Sequence, residues 1–192
     1  MNLLSVLPAR CGHFLLESGC HTDLWLTLDA IFVDPEKIAP MIGALADRLR
    51  PHGVTGVCGP MLGGAFLAQA LANILGTRFY YTELTRTSHD GELFKAEYRL
   101  SPELRVRARD DRIAVVDDII SAGSSTRATI AALTAAGASV VAVGTLLVLG
   151  DAGMAHFAEQ RIPVETLGHH PFNLWTPDGC PLCRDGIPIE CP

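Results

Sequence analysis

The chain has 192 residues, 48% of them hydrophobic and 19% charged, enough apolar material for a packed core and too much for a disordered or low-complexity chain. Its net charge is −6, so neither a nucleic acid nor an anionic membrane is an expected partner, and an anionic ligand must be held by local donors. Of the 15 basic residues only Lys37 and Lys95 are lysines.

Residues 13–16 and 24–28 are short apolar runs around a polar turn and predict two strands. Asp34 and Pro35 supply an N-cap and a first helical residue. Ile38, Met41, Ile42, Leu45, Ala46 and Leu49 then recur at helical spacing to about Arg50. Residues 54–58 predict a strand, 59–64 a loop, 65–75 a helix stopped by Gly76, and 78–82 a further strand. Residues 83–92 are polar and irregular, and 93–100 predict an edge strand. After them come a strand at 112–117, a helix at 124–136, a strand at 139–149 and a helix at 152–160. The tail from Pro171 carries prolines at 171, 177, 181, 188 and 192 and reads as loop. Strands alternating with helices predict an α/β fold with a parallel sheet covered on both faces, and such sheets bind ligands at the carboxyl ends of their strands.

Residues 130–150 hold no charge over 21 positions, the length of a bilayer span. The run is broken by Gly137 and turns β-branched at Val140, so it predicts a helix handing over to a buried strand. With no signal peptide pattern at the N-terminus, the expected location is cytoplasmic, with reduced thiols. Six cysteines stand at 11, 20, 58, 180, 183 and 191. Cys180, Cys183 and Cys191, with His169 or His170 as a fourth ligand, make a candidate structural zinc site; the alternative is a reduced C-x-x-C at a surface turn. A redox C-x-x-C opens a helix, which the prolines here oppose. Trp25 and Trp175 read as packing residues. Arg105, Arg107, Arg109 and Arg112 read as a solvated face, the alternative being a diphosphate or dimer contact.

The sharpest signal runs from Ile113 to Thr126. An apolar strand ends in Asp117 and Asp118, two aliphatics follow, and Ser121, Ala122, Gly123, Ser124 and Ser125 form a small-residue loop that opens a helix. Successive backbone N–H groups in such a loop wrap a phosphate, and the helix N-terminus adds its dipole. Ser121, Ser124, Ser125 and Thr126 add hydroxyls. The acid pair suits hydrogen bonds from a diol or stabilisation of a cation. No lysine follows the loop, which excludes a Walker A site, and the glycine spacing is not that of a dinucleotide fingerprint.

This segment resembles the phosphoribosyl diphosphate (PRPP) signature of type I phosphoribosyltransferases. Further segments are similar to the orotate phosphoribosyltransferases in particular: Gly12-His13-Phe14 through Gly19 with His21-Thr22-Asp23, Gly59 to Gly64, Arg78 to Glu83, and Cys180-Pro181-Leu182-Cys183. The resemblance implies a type I fold, with a central parallel sheet flanked by helices and a small hood. It implies one domain over 1–192, the hood formed from about 1–33 and the tail, and a homodimer. The implied activity is Mg²⁺-dependent transfer of phosphoribose from PRPP to a nitrogen base, orotate being the family default. The alternatives are another base, or a PRPP-binding regulator without turnover.

By the same resemblance Asp117 and Asp118 hold the ribose hydroxyls and bind Mg²⁺ indirectly, and one of them stabilises the cationic transition state. Ile119 and Ile120 belong to the PRPP-binding segment, and the loop from Ser121 to Ser125 holds the 5-phosphate. Met61, Leu62 and Gly63 offer backbone donors to the diphosphate, Arg86 adds a charge, and His89 in the mobile loop and Lys95 beyond it are the further catalytic candidates. Phe14 is similar in place to hood residues that line the base pocket. Two departures stand out. The loop over 84–92 carries no lysine, and Leu149-Gly150-Asp151 stands where the family ends a strand with Asp-Arg, whose arginine contacts orotate.

Overall fold

The computed structural model describes residues 9–16, 18–27, 29–87 and 95–190. Its larger sheet runs through β3 (Gly56–Pro60), β4 (Arg78–Thr87), β5 (Lys95–Arg99), β6 (Arg112–Ile120), β7 (Ser139–Leu149) and β8 (Val164–Thr166) in the order β5-β4-β3-β6-β7-β8. A short β9 (His169–His170) also pairs with β7. All pairings are parallel except that of the edge strand β5, which is antiparallel to β4. A separate antiparallel hairpin joins β1 (Ala9–Leu15) and β2 (His21–Leu26).

The central strand β6 is buried on both faces, as its continuous apolar run requires. Ala114 and Val116 face a core built with α1 (Pro35–Leu49) and α2 (Gly63–Leu75). Ile113 and Val115 face a second core with Tyr80 and Leu133, the latter on α4 (Ser124–Ala135). Phe157 of α5 (Ala152–Glu159) seals Ile120 and Val143. The charge-free run is the second half of α4, a turn at Gly137 with φ +88°, and β7. Among the described residues no helix is long and apolar enough to cross a membrane.

Several boundaries differ from those expected. β4 continues through polar residues to Thr87 because its backbone pairs with β5, and ladder bonds need no apolar pattern. β3 is shifted two residues towards the glycine loop, and α2 starts at Gly63 rather than Ala65. Part of the arginine row folds as α3 (Pro102–Arg107), where the Ser101 hydroxyl accepts from Leu104 N at 3.4 Å and Pro102 occupies the first turn. β8 and β9 are too short to show in the pattern. The tail is not all loop. Cys180 is the N-cap of a one-turn helix α6 (Pro181–Arg184), so Pro181 starts this helix instead of opposing it.

The tail also pairs with the hairpin. His21 and Trp175 exchange backbone bonds of 2.7 and 2.9 Å, Glu190 N donates to His13 O at 2.7 Å, and Arg10 meets Glu190 at 3.1 Å. At the amino end of the sheet, buried Asp111 gathers Arg78 (2.8 and 2.9 Å), Tyr80 Oη (2.6 Å) and Thr55 Oγ1 (3.0 Å).

Candidate active site

The acid pair lies at the carboxyl end of β6, between the N-termini of two helices. On one side α2 begins at Gly63 and Gly64. A Cβ on Gly63 would fall 2.1 Å from Asp118 Oδ2, and one on Gly64 would fall 2.9 Å from Asp117 Oδ1. Glycine is therefore what lets the helix end approach both carboxylates, and its first N–H groups have no intrahelical partner. On the other side Gly123, with φ +72°, caps α4, whose first turn meets Asp117 through Ser125 and Thr126.

The two acids have different surroundings. Asp117 is buried; its Oδ2 accepts from Ser125 Oγ at 2.7 Å and from Thr126 Oγ1 at 3.4 Å. Burial first and the charge of Asp118 second push its carboxyl well above the usual carboxylate range, and the Ser125 bond opposes them. Asp118 is half-buried and its Oδ1 accepts from Ile119 N at 2.8 Å. The hydroxyls of Ser125 and Thr126, expected to face a phosphate, instead satisfy Asp117, because a buried carboxylate needs donors. Ser121, Ala122, Gly123, Ser124 and Ser125 border one cavity.

Gly153 N donates to Ser121 O at 3.0 Å, so the first turn of α5 braces the loop. Leu16, Ser18 and Trp25 of the hairpin region close it from above, leaving a cavity of about 220 Å³. Trp25 thus lines the cavity as well as packing on Phe14, with ring centroids 5.9 Å apart. Phe14 itself is completely buried, so it supports the hood from within rather than offering a face to a base. Ile120 is likewise core, while Ile119 borders the cavity.

In the loop before α2, Met61 and Leu62 are exposed and joined by a cis peptide. Met61 N donates to Thr82 O at 2.9 Å. The expected three backbone donors therefore reduce to Leu62 and Gly63. In the β4–β5 register Arg86 pairs with Ala96 and Thr87 with Lys95. His89 lies outside the described residues.

The model of the phosphoribosyl transferase domain family matches residues 38–165, a span that contains the acid pair, the small-residue loop and the glycine loop. The chain belongs to the phosphoribosyltransferase family. Its curated relatives include the orotate phosphoribosyltransferase of Caldanaerobacter subterraneus, 30% identical over 94% of this chain and 88% of that one. Another is that of Thermotoga petrophila, 32% identical over 94% and 89%. Among solved structures, the orotate phosphoribosyltransferase of Aeropyrum pernix superposes with a TM-score of 0.65 at 21% identity, covering 84% of this chain and 87% of that one. The adenine phosphoribosyltransferase of Trypanosoma brucei gives the same TM-score at 16% identity, over 86% and 76%. The phosphoribosyltransferase fold is thus shared by proteins named for different bases.

The zinc ligands expected from the tail are regrouped. Cys180 and Cys183 gather with His13 and His21, all four ligand atoms lying within 4.8 Å of one another. His169 and His170 are elsewhere: His169 Nε2 lies 2.9 Å from Gly150 O and 3.2 Å from Asp151. Cys191 lies outside the described residues. The sequence pointed to the two cysteines but not to the histidines, which stand more than 150 positions away.

Proposed function

We propose that this phosphoribosyltransferase moves the phosphoribosyl group from PRPP to a ring nitrogen of orotate. The bond from C1 of the ribose to the diphosphate breaks, and a bond from C1 to the nitrogen forms. The observation that carries the reading is the convergence of two helix N-termini on one acid pair, a place for two anionic groups flanking a diol. Orotate is favoured as acceptor because the curated relatives that match along most of the chain are named for it.

In this reading the backbone of Ser121 to Ser125 holds the 5-phosphate, and Leu62 and Gly63 donate to the diphosphate. Asp118 accepts from the ribose hydroxyls and faces the developing positive charge at C1. Asp117 is a positioning residue: through Ser125 and Thr126 it fixes the first turn of α4. Catalysis then rests on alignment and electrostatic stabilisation. The donors at the pair are oxygens, two carboxylates and the hydroxyls of Ser125 and Thr126, and this hard set fits Mg²⁺ held largely by waters and ligand oxygens with Asp118 nearby. When bound, that ion neutralises charge on the diphosphate. A homodimer belongs to the same reading and is tested by light scattering.

A second reading, transfer to a neutral base, is favoured by Asp151. Its carboxylate directly follows Leu149-Gly150, where the family arginine is expected, next to the turn that braces the phosphate loop. Diphosphate release from PRPP and Mg²⁺, with orotate, uracil and adenine compared, decides. Turnover with orotate supports the first reading, turnover with another base the second, and PRPP binding without turnover leaves a regulator.

A further inference from the structure

His13, His21, Cys180 and Cys183 take no part in the proposed transfer, yet they form the tightest group of metal-ligating side chains among the described residues. They come from β1, β2, the N-cap of α6 and its first turn. His13, His21 and Cys180 are buried, and Cys183 is at the surface.

Distances and atom types fit one kind of ion. Tetrahedral zinc with nitrogen and thiolate ligands sets those atoms roughly 3.3 Å apart for two nitrogens and roughly 3.6 Å for nitrogen and sulfur. Here His13 Nε2 is 2.9 Å from His21 Nδ1, and Cys183 Sγ is 3.2 Å from His21 Nδ1. Cys180 and Cys183 Sγ lie 3.5 and 3.7 Å from His13 Nε2. The surroundings also prepare the ring. His13 Nδ1 lies 2.7 Å from Ile187 O. A carbonyl only accepts, so in neutral His13 the proton sits on Nδ1 and the bare lone pair of Nε2 faces the sulfurs, the outer-shell bond that metal-bound histidines make.

We propose that His13 Nε2, His21 Nδ1, Cys180 Sγ and Cys183 Sγ hold one zinc ion that clamps the tail onto the hood hairpin. Binding releases the two thiol protons to solvent. Two thiolates balance the charge of Zn²⁺, so the site is neutral, as its partly buried setting favours. The ion sits beside the two backbone pairings of tail and hairpin, His21 with Trp175 and Phe14 with Glu190. It therefore fixes the element that carries Leu16, Ser18 and Trp25 over the phosphate loop. It is a structural ion, independent of Mg²⁺ and of the identity of the base.

The full chain, purified without metal-affinity steps and dialysed, is analysed for metal by mass spectrometry. The expected result is one zinc per chain, retained in Cys11→Ser and His169→Ala and lost in Cys183→Ser and His21→Asn. Because a ligand variant can fail to fold, the wild-type protein is also stripped with a chelator and titrated with Co²⁺. Thiolate-to-cobalt charge transfer and intense tetrahedral d–d bands are expected, reversed by Zn²⁺. Absence of zinc together with no cobalt spectrum overturns the proposal. So does a Cys180–Cys183 disulfide in the protein as isolated, or loss of zinc in Cys191→Ser with retention in His21→Asn.

Discussion

Gly63, the first residue of α2, touches Asp118: a Cβ added there would fall 2.1 Å from Asp118 Oδ2. The obstacle is the end of a side chain, which can swing away. At Gly59 the obstacle is backbone, with Gly64 O 2.0 Å from the added Cβ. Gly63→Ala is therefore expected to displace the carboxylate, lower kcat/KM for PRPP at least about tenfold and shift the melting temperature by only about 2 °C, whereas Gly59→Ala costs about 3 kcal/mol or more through forced backbone movement. Thermal denaturation beside steady-state kinetics separates the two. Equal loss of stability would show that the Gly63 contact is structural.

Asp117 and Asp118 are expected to respond differently to amide substitution. Asp118→Asn leaves the fold intact and nearly abolishes turnover while weakening PRPP binding, which calorimetry on the folded variant measures. Asp117 shows itself in stability against pH. Its carboxyl is held well above the usual 3.8, chiefly by burial. An acid with a raised folded pKa binds more protons folded than unfolded, so its contribution is fully present below the unfolded pKa and is lost as pH rises through the folded one. Denaturant unfolding from acid to neutral pH is expected to show a decline with rising pH that Asp117→Asn reduces. A steeper decline in the variant would contradict this account.

The strand, the acid pair and the loop after it are contiguous, so their chemistry was legible from Ile113 to Thr126 without knowledge of the fold. The same local view misassigned the hydroxyls of Ser125 and Thr126, because burial of Asp117 arises from α2 packing against β6, a contact between distant segments. The Met61 N–H was misassigned for a similar reason: its acceptor, Thr82 O, belongs to the neighbouring strand. The hood cluster was half legible. Cys180 and Cys183 announce themselves by spacing, but the pairing of the tail with β1 and β2 is what selects His13 and His21 over His169 and His170. α3 carries a local helix-start signal in Ser101, Pro102 and Glu103, set within the arginine row.

Asp111 offers a control at the opposite end of the sheet. It satisfies Tyr80, Thr55 and Arg78, and removing it leaves the buried Tyr80 hydroxyl with only Arg107 O, 2.9 Å away. Asp111→Ala is expected to cost about 2 kcal/mol, most of it from the buried partners because Arg78 is largely exposed. Below the variant's melting transition, KM for PRPP should be unchanged. A raised KM with unaltered stability would mean that this network communicates with the phosphate loop.

The last prediction concerns the acceptor's charge. Orotate brings a carboxylate into a partly desolvated site and is best met by a guanidinium. After β7 this chain has Gly150, with φ +65°, and Asp151, whose side chain is 91% exposed. Of the two candidate substitutes, Arg99 lies on the edge strand against Glu97 at 2.7 Å, and Arg184 sits on α6, in the tail that pairs with the hood. Asp151 also opens α5, whose first turn holds Ser121 O. Replacing its negative charge with a guanidinium supplies a charge-assisted bond worth about 1.5–3 kcal/mol, tenfold or more in affinity. Asp151→Arg is therefore expected to tighten orotate at least about tenfold, measured by saturation binding with diphosphate present, and to leave uracil unchanged. Arginine is placed at 151 rather than 150 because a side chain at Gly150 would adopt a strained left-handed backbone. If wild-type protein already binds orotate at micromolar levels, and Arg184→Ala or Arg99→Ala removes that affinity while Asp151→Arg does nothing, the acceptor's carboxylate is held from the tail or the edge strand and the end of β7 has no part in choosing the base.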